Sequence, residues 1–153
     1  MVCAVIQTPL GHVRIEAENG AVEAVLFTEE ELIPAKDELL QRAEKQLQEY
    51  FAGDRQEFDL PIRMKGTAFQ LAAWRVLQGI PYGQTITYGE EAERLGNKNA
   101  ARAVGGANHI NPICIIVPCH RVVAANGPGG YGPGVEKKEY LLALERKYAR
   151  RNE

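Results

Sequence analysis

Thiols and imidazoles are scarce in this chain of 153 residues, which holds Cys3, Cys114 and Cys119 and His12, His109 and His120. Cys119 and His120 are adjacent. A free thiol ionises near ~8.5, so only a small fraction is thiolate at neutral pH. An imidazole that takes the proton raises that fraction, provided an acceptor on its other ring nitrogen orients it. Glu145, on the border between the apolar and polar faces of a C-terminal helical stretch, is a candidate orienter. Cys119, His120 and Glu145 would then form a relay with the logic of a hydrolase triad. The pair follows the apolar run Ile113–Val117, which lies between Pro112 and Pro118 and reads as a short buried strand. Successive strand side chains face opposite ways, so the pair shares a site only if Pro118 starts a turn. A small buried cysteine beside a surface histidine fits the same residues equally well. The cysteines and histidines lack the spacing of a zinc site, and no metal is expected.

The totals bound what surrounds this pair. An apolar fraction of 45% supports a real core, and the length suits one ordinary domain or two small ones. No run of ~18 apolar residues suggests a membrane span. Met1 to Ile6 has no basic flank and runs into a Pro-Leu-Gly turn, so no signal peptide is expected. Three cysteines make no disulfide framework, which points to the reducing cytoplasm. The net charge of −2 conceals an asymmetry. Up to Pro61 there are 13 Asp/Glu against 5 Lys/Arg, and from Ile62 onward 7 against 13. A basic second half suits a polyanion, although two halves that neutralise each other in a dipolar protein would look the same.

The elements that must position the pair fall into two domains, 1–61 and 62–153. In the first, Val2–Gln7, Val13–Glu18 and Ala21–Phe27 read as a small antiparallel meander, with turns at Thr8-Pro9-Leu10-Gly11 and Asn19-Gly20. Val13, Ile15 and Ala17 should face inward, and Val22, Ala24 and Leu26 should share a face. Asp37–Phe51 has the 3.6-residue period of an amphipathic helix closed by Gly53, and Arg55–Arg63 reads as a linker. In the second domain Thr67 caps a helix through Phe69, Ala73 and Leu77. Thr87 and Glu90 form a capping box for Tyr88–Leu95, which ends at Gly96 and is followed by a helix within Asn99–Ile110. Helix, glycine turn and helix match a helix-turn-helix, and also many plain helical hairpins. Arg102 lies in the first turn of the second helix, where a recognition helix meets DNA, although a solvated arginine fits there too. Ala125–Gly134, with five glycines and two prolines around Tyr131, reads as a binding lid or a flexible linker. A final helix spans Val135–Arg150, with Leu141, Leu142 and Leu144 inward.

Pro118-Cys119-His120-Arg121-Val122-Val123 resembles the active-site signature of the O6-alkylguanine-DNA alkyltransferases. Tyr82-Gly83-x-Thr85-x-Thr87-Tyr88-Gly89, Ala101-Arg102-Ala103-Val104-Gly105, Asn111-Pro112 and Gly130-Tyr131 stand at that family's spacing. Tyr50-Phe51-x-Gly53 and Phe69-Gln70-x-x-x-Trp74 fit as well, so nearly the whole chain is covered. The resemblance implies an α+β fold, with a small N-terminal antiparallel-sheet, RNase H-like α/β domain and a C-terminal winged helix-turn-helix domain. It implies a cytoplasmic monomer that acts on double-stranded DNA containing O6-alkylguanine, with no cofactor. Cys119 would accept the alkyl group and be consumed. His120 would take its proton, Glu145 would orient His120, and Asn111 would tie the helix-turn-helix to the cysteine loop. Arg102 would replace the extruded base in the stack. Ala101, Ala103 and Gly105 would let the second helix approach the minor groove, with Tyr88 and Arg121 also on the DNA side. Tyr88 would donate toward N3 of the leaving guanine. Tyr131, Gly132, Val122 and Trp74 would belong to the substrate pocket.

The chain departs from the family pattern at Glu91, usually apolar, which implies exposure or a rotated helix. It departs also at Cys114 and at Gly132-Pro133. Three other readings stand beside alkyl transfer: a lesion-binding protein that does not repair, against which Cys119 argues, a winged-helix regulator, and a cysteine hydrolase.

Overall fold

The computed structural model describes residues 1–151; residues 152 and 153, which fall in the second of the two expected domains, lie outside it. The chain divides into two compact units, one made of Met1–Met64 with Pro112–Ile116, the other of Lys65–Asn111 with the chain from Val117 onward.

The first unit is built on an antiparallel meander of β1 (Val2–Thr8), β2 (Gly11–Glu18) and β3 (Ala21–Thr28) in that order. Asn19 and Gly20 both take positive φ, 50° and 78°, the conformation whose twist matches a two-residue hairpin. Val13, Ile15 and Ala17 are buried as their alternation demands. The expected alternation of Val22, Ala24 and Leu26 fails in β3. Ala17 faces Val22 while Glu16 faces Ala24, so Glu23 is one residue too many and forms a bulge. Beyond it the period slips: Val25 turns fully inward, and Leu26 is left exposed opposite Arg14. Against the sheet lies α1 (Glu38–Ala52), capped by Asp37, which accepts from Leu40 N at 2.9 Å, and closed by Gly53 at φ 84°. Its apolar stripe of Leu40, Ala43, Leu47 and Tyr50 is buried. The stretch before Arg63 is more than a linker, since Pro61 O and Arg63 N bond Val22 and add a parallel bridge to β3.

Ile113–Val117 is buried as expected, but it is not a strand. Only Ile113 bridges to β3, through Val25 N to Pro112 O and Cys114 N to Val25 O, both 2.9 Å. The backbone then turns sharply. Ile116 N bonds Cys114 O at 2.8 Å, and Ile115 is held at φ 72°, a strained conformation for a β-branched residue. Prolines at both ends leave the run too short to extend a ladder, so burial is kept and regular pairing is not.

The second unit is helical. In α2 (Ala68–Gln78) Thr67 and Gln70 form a capping box, and in α3 (Tyr88–Arg94) Thr87 and Glu90 form another. Each cap satisfies end N–H groups and is worth about 1 kcal/mol. Gly96 at φ 84° and the bond from Asn97 N to Ala92 O stop α3 and redirect the chain into α4 (Ala101–His109). The seam of this helix-turn-helix is made of small residues: Ala73, Ala92, Ala100, Val104 and Ala107. Phe69 of α2 is exposed, and Trp74 fills the interior instead. Two short strands, β4 (Ile86–Thr87) and β5 (Val122–Val123), pair in parallel, and a 3-10 turn over Cys119–Arg121 precedes β5. The chain ends in α5 (Val135–Arg151), where Leu141 is buried while Leu142 and Leu144 are only half so. The fold is thus α+β, a sheet unit and a helical unit. Among the described residues no helix is long and apolar enough to cross a membrane.

Candidate active site

Cys119 and His120 lie in a 3-10 turn after Pro118, so they do not alternate across a continued strand. Cys119 is 6% exposed and His120 fully buried. His120 Nε2 stands 2.7 Å from Glu145 Oε2 on α5. Glu145 is held on its other side by Arg121, whose Nε and Nη2 donate to its two oxygens at 2.7 and 3.0 Å. Burial alone would raise the Glu145 carboxyl, but His120 and Arg121 hold it well below the usual carboxylate range. Glu145 is therefore ionised. Burial pushes His120 down despite the pull of Glu145, with the Arg121 and Lys138 charges adding to the push, so the imidazole is neutral. An acceptor-only carboxylate at Nε2 requires the proton there, which leaves Nδ1 as the basic nitrogen. Nδ1 is buried and has no hydrogen-bond partner among the described residues.

The thiol is tuned from three sides. Burial pushes Cys119 up, and the Asn111 side chain and the Lys138 charge pull it back. Asn111 itself is buried, and its Nδ2 donates to Val117 O at 2.8 Å, fixing the chain just before the cysteine. Cys119 lines a pocket shared with Tyr88, Gly105, Asn108, Tyr131 and Gly132. Four of the expected site residues thus meet the cysteine there. Tyr88 Oη donates to Gly130 O at 3.4 Å, and its ring lies against Gly129, where a Cβ would come within 2.8 Å of it. Gly129 also sits at φ 76°, so the lid needs glycine there on both counts. On α4, Arg102 and Ala103 are exposed and Ala101 half-buried, leaving a basic side chain on a face of small residues.

Four expectations are corrected. Arg121 is not on a surface that could meet DNA: it is buried, with its guanidinium shared between Glu145 and Ile80 O, 2.7 Å from Nη1. Trp74 is a core residue under α4, donating Nε1–H to Ala107 O at 2.9 Å, and is not on the pocket wall. Val122 is likewise absent from the wall, and its carbonyl accepts from Lys138 Nζ at 2.6 Å. Glu91 is fully buried, with Oε1 2.7 Å from Asn108 Nδ2, so it is not exposed.

Lys138 and Asn108 escaped the sequence reading. Lys138 is completely buried and ties Val122 O, Gly130 O and Tyr88 Oη together, at 2.6, 2.9 and 3.4 Å. Burial lowers its ammonium to about 8. Its signal was helical spacing: Lys138, Leu141, Leu142 and Glu145 fall at i, i+3, i+4 and i+7, the stripe that faces inward. Among the described residues no group of three or more His, Cys, Asp or Glu could hold a metal ion.

A helix-turn-helix unit with a buried Cys-His-Glu relay opening into a pocket beside the second helix defines a DNA-directed protein whose reactive group is a cysteine. Comparison with known proteins agrees. Residues 68–147 match the family model for the DNA-binding domain of 6-O-methylguanine DNA methyltransferase, and residues 1–64 match its ribonuclease-like domain. The chain belongs to that family. A methylated-DNA–protein-cysteine methyltransferase of Methanosarcina acetivorans is 43% identical, covering 95% of this chain and 98% of that one. The constitutive enzyme of that name from Bacillus subtilis is 40% identical over 92% of both chains. Among solved structures, the O6-methylguanine methyltransferase of Mycobacterium tuberculosis superposes with a TM-score of 0.86 at 41% identity, covering 97% of this chain and 94% of that one. The Mycobacterium tuberculosis OGT in complex with DNA gives 0.85 at 39% identity, covering 94% and 92%.

Proposed function

We propose that this protein repairs double-stranded DNA by transferring the alkyl group of O6-alkylguanine to its own Cys119, once per molecule. The observation that carries this is the relay: a buried thiol on a pocket wall, next to a neutral imidazole whose Nε2–H is locked on Glu145 and whose Nδ1 is basic. Nδ1, directly or through a water, takes the thiol proton. The sulfur attacks the alkyl carbon in line, the S–C bond forms, and the C–O6 bond breaks. The electron pair leaves on guanine, which takes up one proton, with Tyr88 donating toward N3. Because the product is a thioether, which water does not readily cleave, turnover stops there.

The target carbon lies inside a stacked duplex, so the nucleotide must rotate out, at a cost of a few kcal/mol. Arg102, exposed on the first turn of α4, fills the gap, and the small residues Ala101, Ala103 and Gly105 allow a close approach to the minor groove. That groove reports little sequence, which suits a protein that inspects all of it. No resident cofactor is needed, and the protein acts as a monomer. Its compartment is the cytoplasm, where reducing conditions keep Cys3, Cys114 and Cys119 as thiols.

Mass spectrometry after incubation with an O6-methylguanine duplex tests this. Cys119 gains one methylene, in stoichiometric amount. No adduct, or an adduct on Cys3 or Cys114, refutes alkyl transfer to Cys119, and repeated turnover on an ester would favour a hydrolase.

A further inference from the structure

Nothing in the relay requires a carboxylate on α3, yet Glu91 is fully buried there. The apolar seam of the helix-turn-helix is made of small residues, Ala73, Ala92, Ala100, Val104 and Ala107. Side chains this small bury little surface, so a polar contact between α3 and α4 counts for more in holding the two helices. Glu91 Oε1 meets Asn108 Nδ2 of α4 at 2.7 Å. The second polar atom of each group, Glu91 Oε2 and Asn108 Oδ1, is buried without a hydrogen-bond partner among the described residues. With the carboxyl ionised both are acceptors, and neither can complete the other. Two buried acceptors left unpaired on one pair of touching groups is a costly arrangement. A single proton on Oε2 removes both costs. The acid O–H is the donor that Oδ1 lacks, and carboxyl and amide then match donor to acceptor twice.

We propose that Glu91 is a positioning residue that keeps its proton and donates it to Asn108 Oδ1, closing an acid–amide clasp that fixes α4 on α3. The clasp reaches the cysteine through the chain. Asn111 N bonds Asn108 O at 3.2 Å, and the Asn111 side chain holds Val117 O at 2.8 Å, two residues before Cys119. Its effect on repair rests on the alkyl-transfer reading of Cys119. The clasp responds to pH. Burial raises the Glu91 carboxyl to about 7, against the pull of Asn108, so the proton is held at pH 6 and mostly lost at pH 8. The titratable groups that respond to the Glu91 charge are Tyr88 on its own helix and Cys119 on the 3-10 turn. Glu90, Glu93 and Arg94 of α3, Arg75 of α2, and Arg102 and His109 of α4 are exposed, and β4 and β5 carry no titratable residue.

Carbon-13 NMR of protein labelled at the glutamate carboxyl carbons reads the proton directly. The resonance that vanishes in Glu91→Gln should stay at its protonated position until about pH 7, whereas a carboxyl free in water titrates near ~4.3. Single-turnover transfer from an O6-methylguanine duplex reads the clasp. Glutamine donates from Nε2 to Oδ1 and accepts at Oε1, so it closes the same ring at every pH, and leucine closes none. Both substitutions remove the charge that raises Cys119, so the difference between them isolates the ring. Glu91→Gln should match wild type at pH 6 and exceed it at pH 8 by up to about tenfold, the worth of one hydrogen bond between buried groups. Glu91→Leu should be slower than Glu91→Gln at both pH values. A Glu91 carbon that titrates with free carboxyls, or leucine that serves as well as glutamine throughout, would overturn the clasp while leaving alkyl transfer standing. Absence of a wild-type adduct would overturn alkyl transfer, and the NMR result, which needs no DNA, would still decide the clasp.

Discussion

Glu91→Gln should stabilise the protein, and only above neutral pH. The side chain is fully buried; among the described residues Oε1 meets Asn108 and Oε2 has no hydrogen-bond partner. Burial lifts its carboxyl from 4.5 to about 7. A raised folded-state value means that the native state holds the proton more tightly than the unfolded chain does. The contribution is complete below about 4.5 and is lost as pH rises through about 7. At 1.36 kcal/mol per pH unit, the loss is at most about 3 kcal/mol, and rotation of Asn108 reduces it to about 2 kcal/mol. Glutamine has the shape of the neutral acid and still offers Oε1 to Asn108, so the variant should match wild type near pH 5 and exceed it by about 2 kcal/mol at pH 8. For a chain of this size that is roughly 4–8 °C in melting temperature. His120 complicates either protein alone. Its lowered value makes stability fall as pH drops below about 6.5, opposite to the Glu91 effect. The difference between variant and wild type removes that contribution, so urea unfolding of both from pH 5 to pH 8 is the assay. A flat difference curve, or a variant weaker than wild type at pH 8, would show that Glu91 is not held as a buried, weakly satisfied carboxyl.

Arg121→Met strips Glu145 of its second partner and should cost about 3–5 kcal/mol in urea unfolding. It also removes a charge that lowers His120, so the pH profile of methyl transfer should move to higher pH, while the salt slope of DNA binding stays unchanged because the side chain is buried. Arg102→Ala should slow repair of duplex DNA far more than reaction with the free O6-methylguanine base, with duplex affinity less steeply dependent on salt by about one phosphate contact; equal losses on both substrates would remove its role in the stack. Gly129→Ala forces a side chain into φ 76° and against the Tyr88 ring, and should cost about 1–2 kcal/mol in thermal unfolding and slow transfer together.

Much of this fold was legible because local signals agreed with the tertiary ones. Asp37 and Gly53 bracket α1, Thr67 and Thr87 open α2 and α3, and Asn19-Gly20 turns the hairpin, each by chemistry confined to a few neighbouring residues. The failures share a different cause. The Glu23 bulge depends on how β2 and β3 pair across space, and no composition signal inside β3 announces an extra residue. Ile113–Val117 has the content of a strand, but whether a strand forms depends on a partner edge, and only Val25 supplies one. In the site, Cys119, His120 and Glu145 could be named because reactive residue types are few. Arg121 and Trp74 were misplaced because a signature records which residues accompany the cysteine and not which way they point. Arg121 turns to the carboxylate that needs neutralising, and Trp74 turns to a backbone carbonyl in the core. Lys138 was passed over, and Glu91 was read as exposed or on a rotated helix, because charge suggests a surface. Both lie on the inward stripe of their helices, and that period outranks the charge.

These buried charges bear on why the cysteine serves only once. A cysteine enzyme that turns over gains from a thiol already lowered and ionised at rest. Here burial pushes Cys119 the other way, and Asn111 and Lys138 only partly offset it. The resting thiol is therefore neutral, and oxidants and stray electrophiles, which react with thiolate, find little to attack. A protein that cannot regenerate its acceptor loses a molecule to each such event, so a reluctant thiol conserves it. Reactivity must then be assembled when the substrate arrives. The parts stand ready without being spent: the basic Nδ1 of His120, held in one tautomer by Glu145, and the Lys138 charge that favours the thiolate once it forms. Arg121 belongs to this arrangement. Burial is the main reason His120 is neutral, and the Arg121 charge adds to it; a protonated His120 would have no lone pair to offer the thiol. The arginine of the signature is thus buried and turned to Glu145, and not to a surface that could meet DNA.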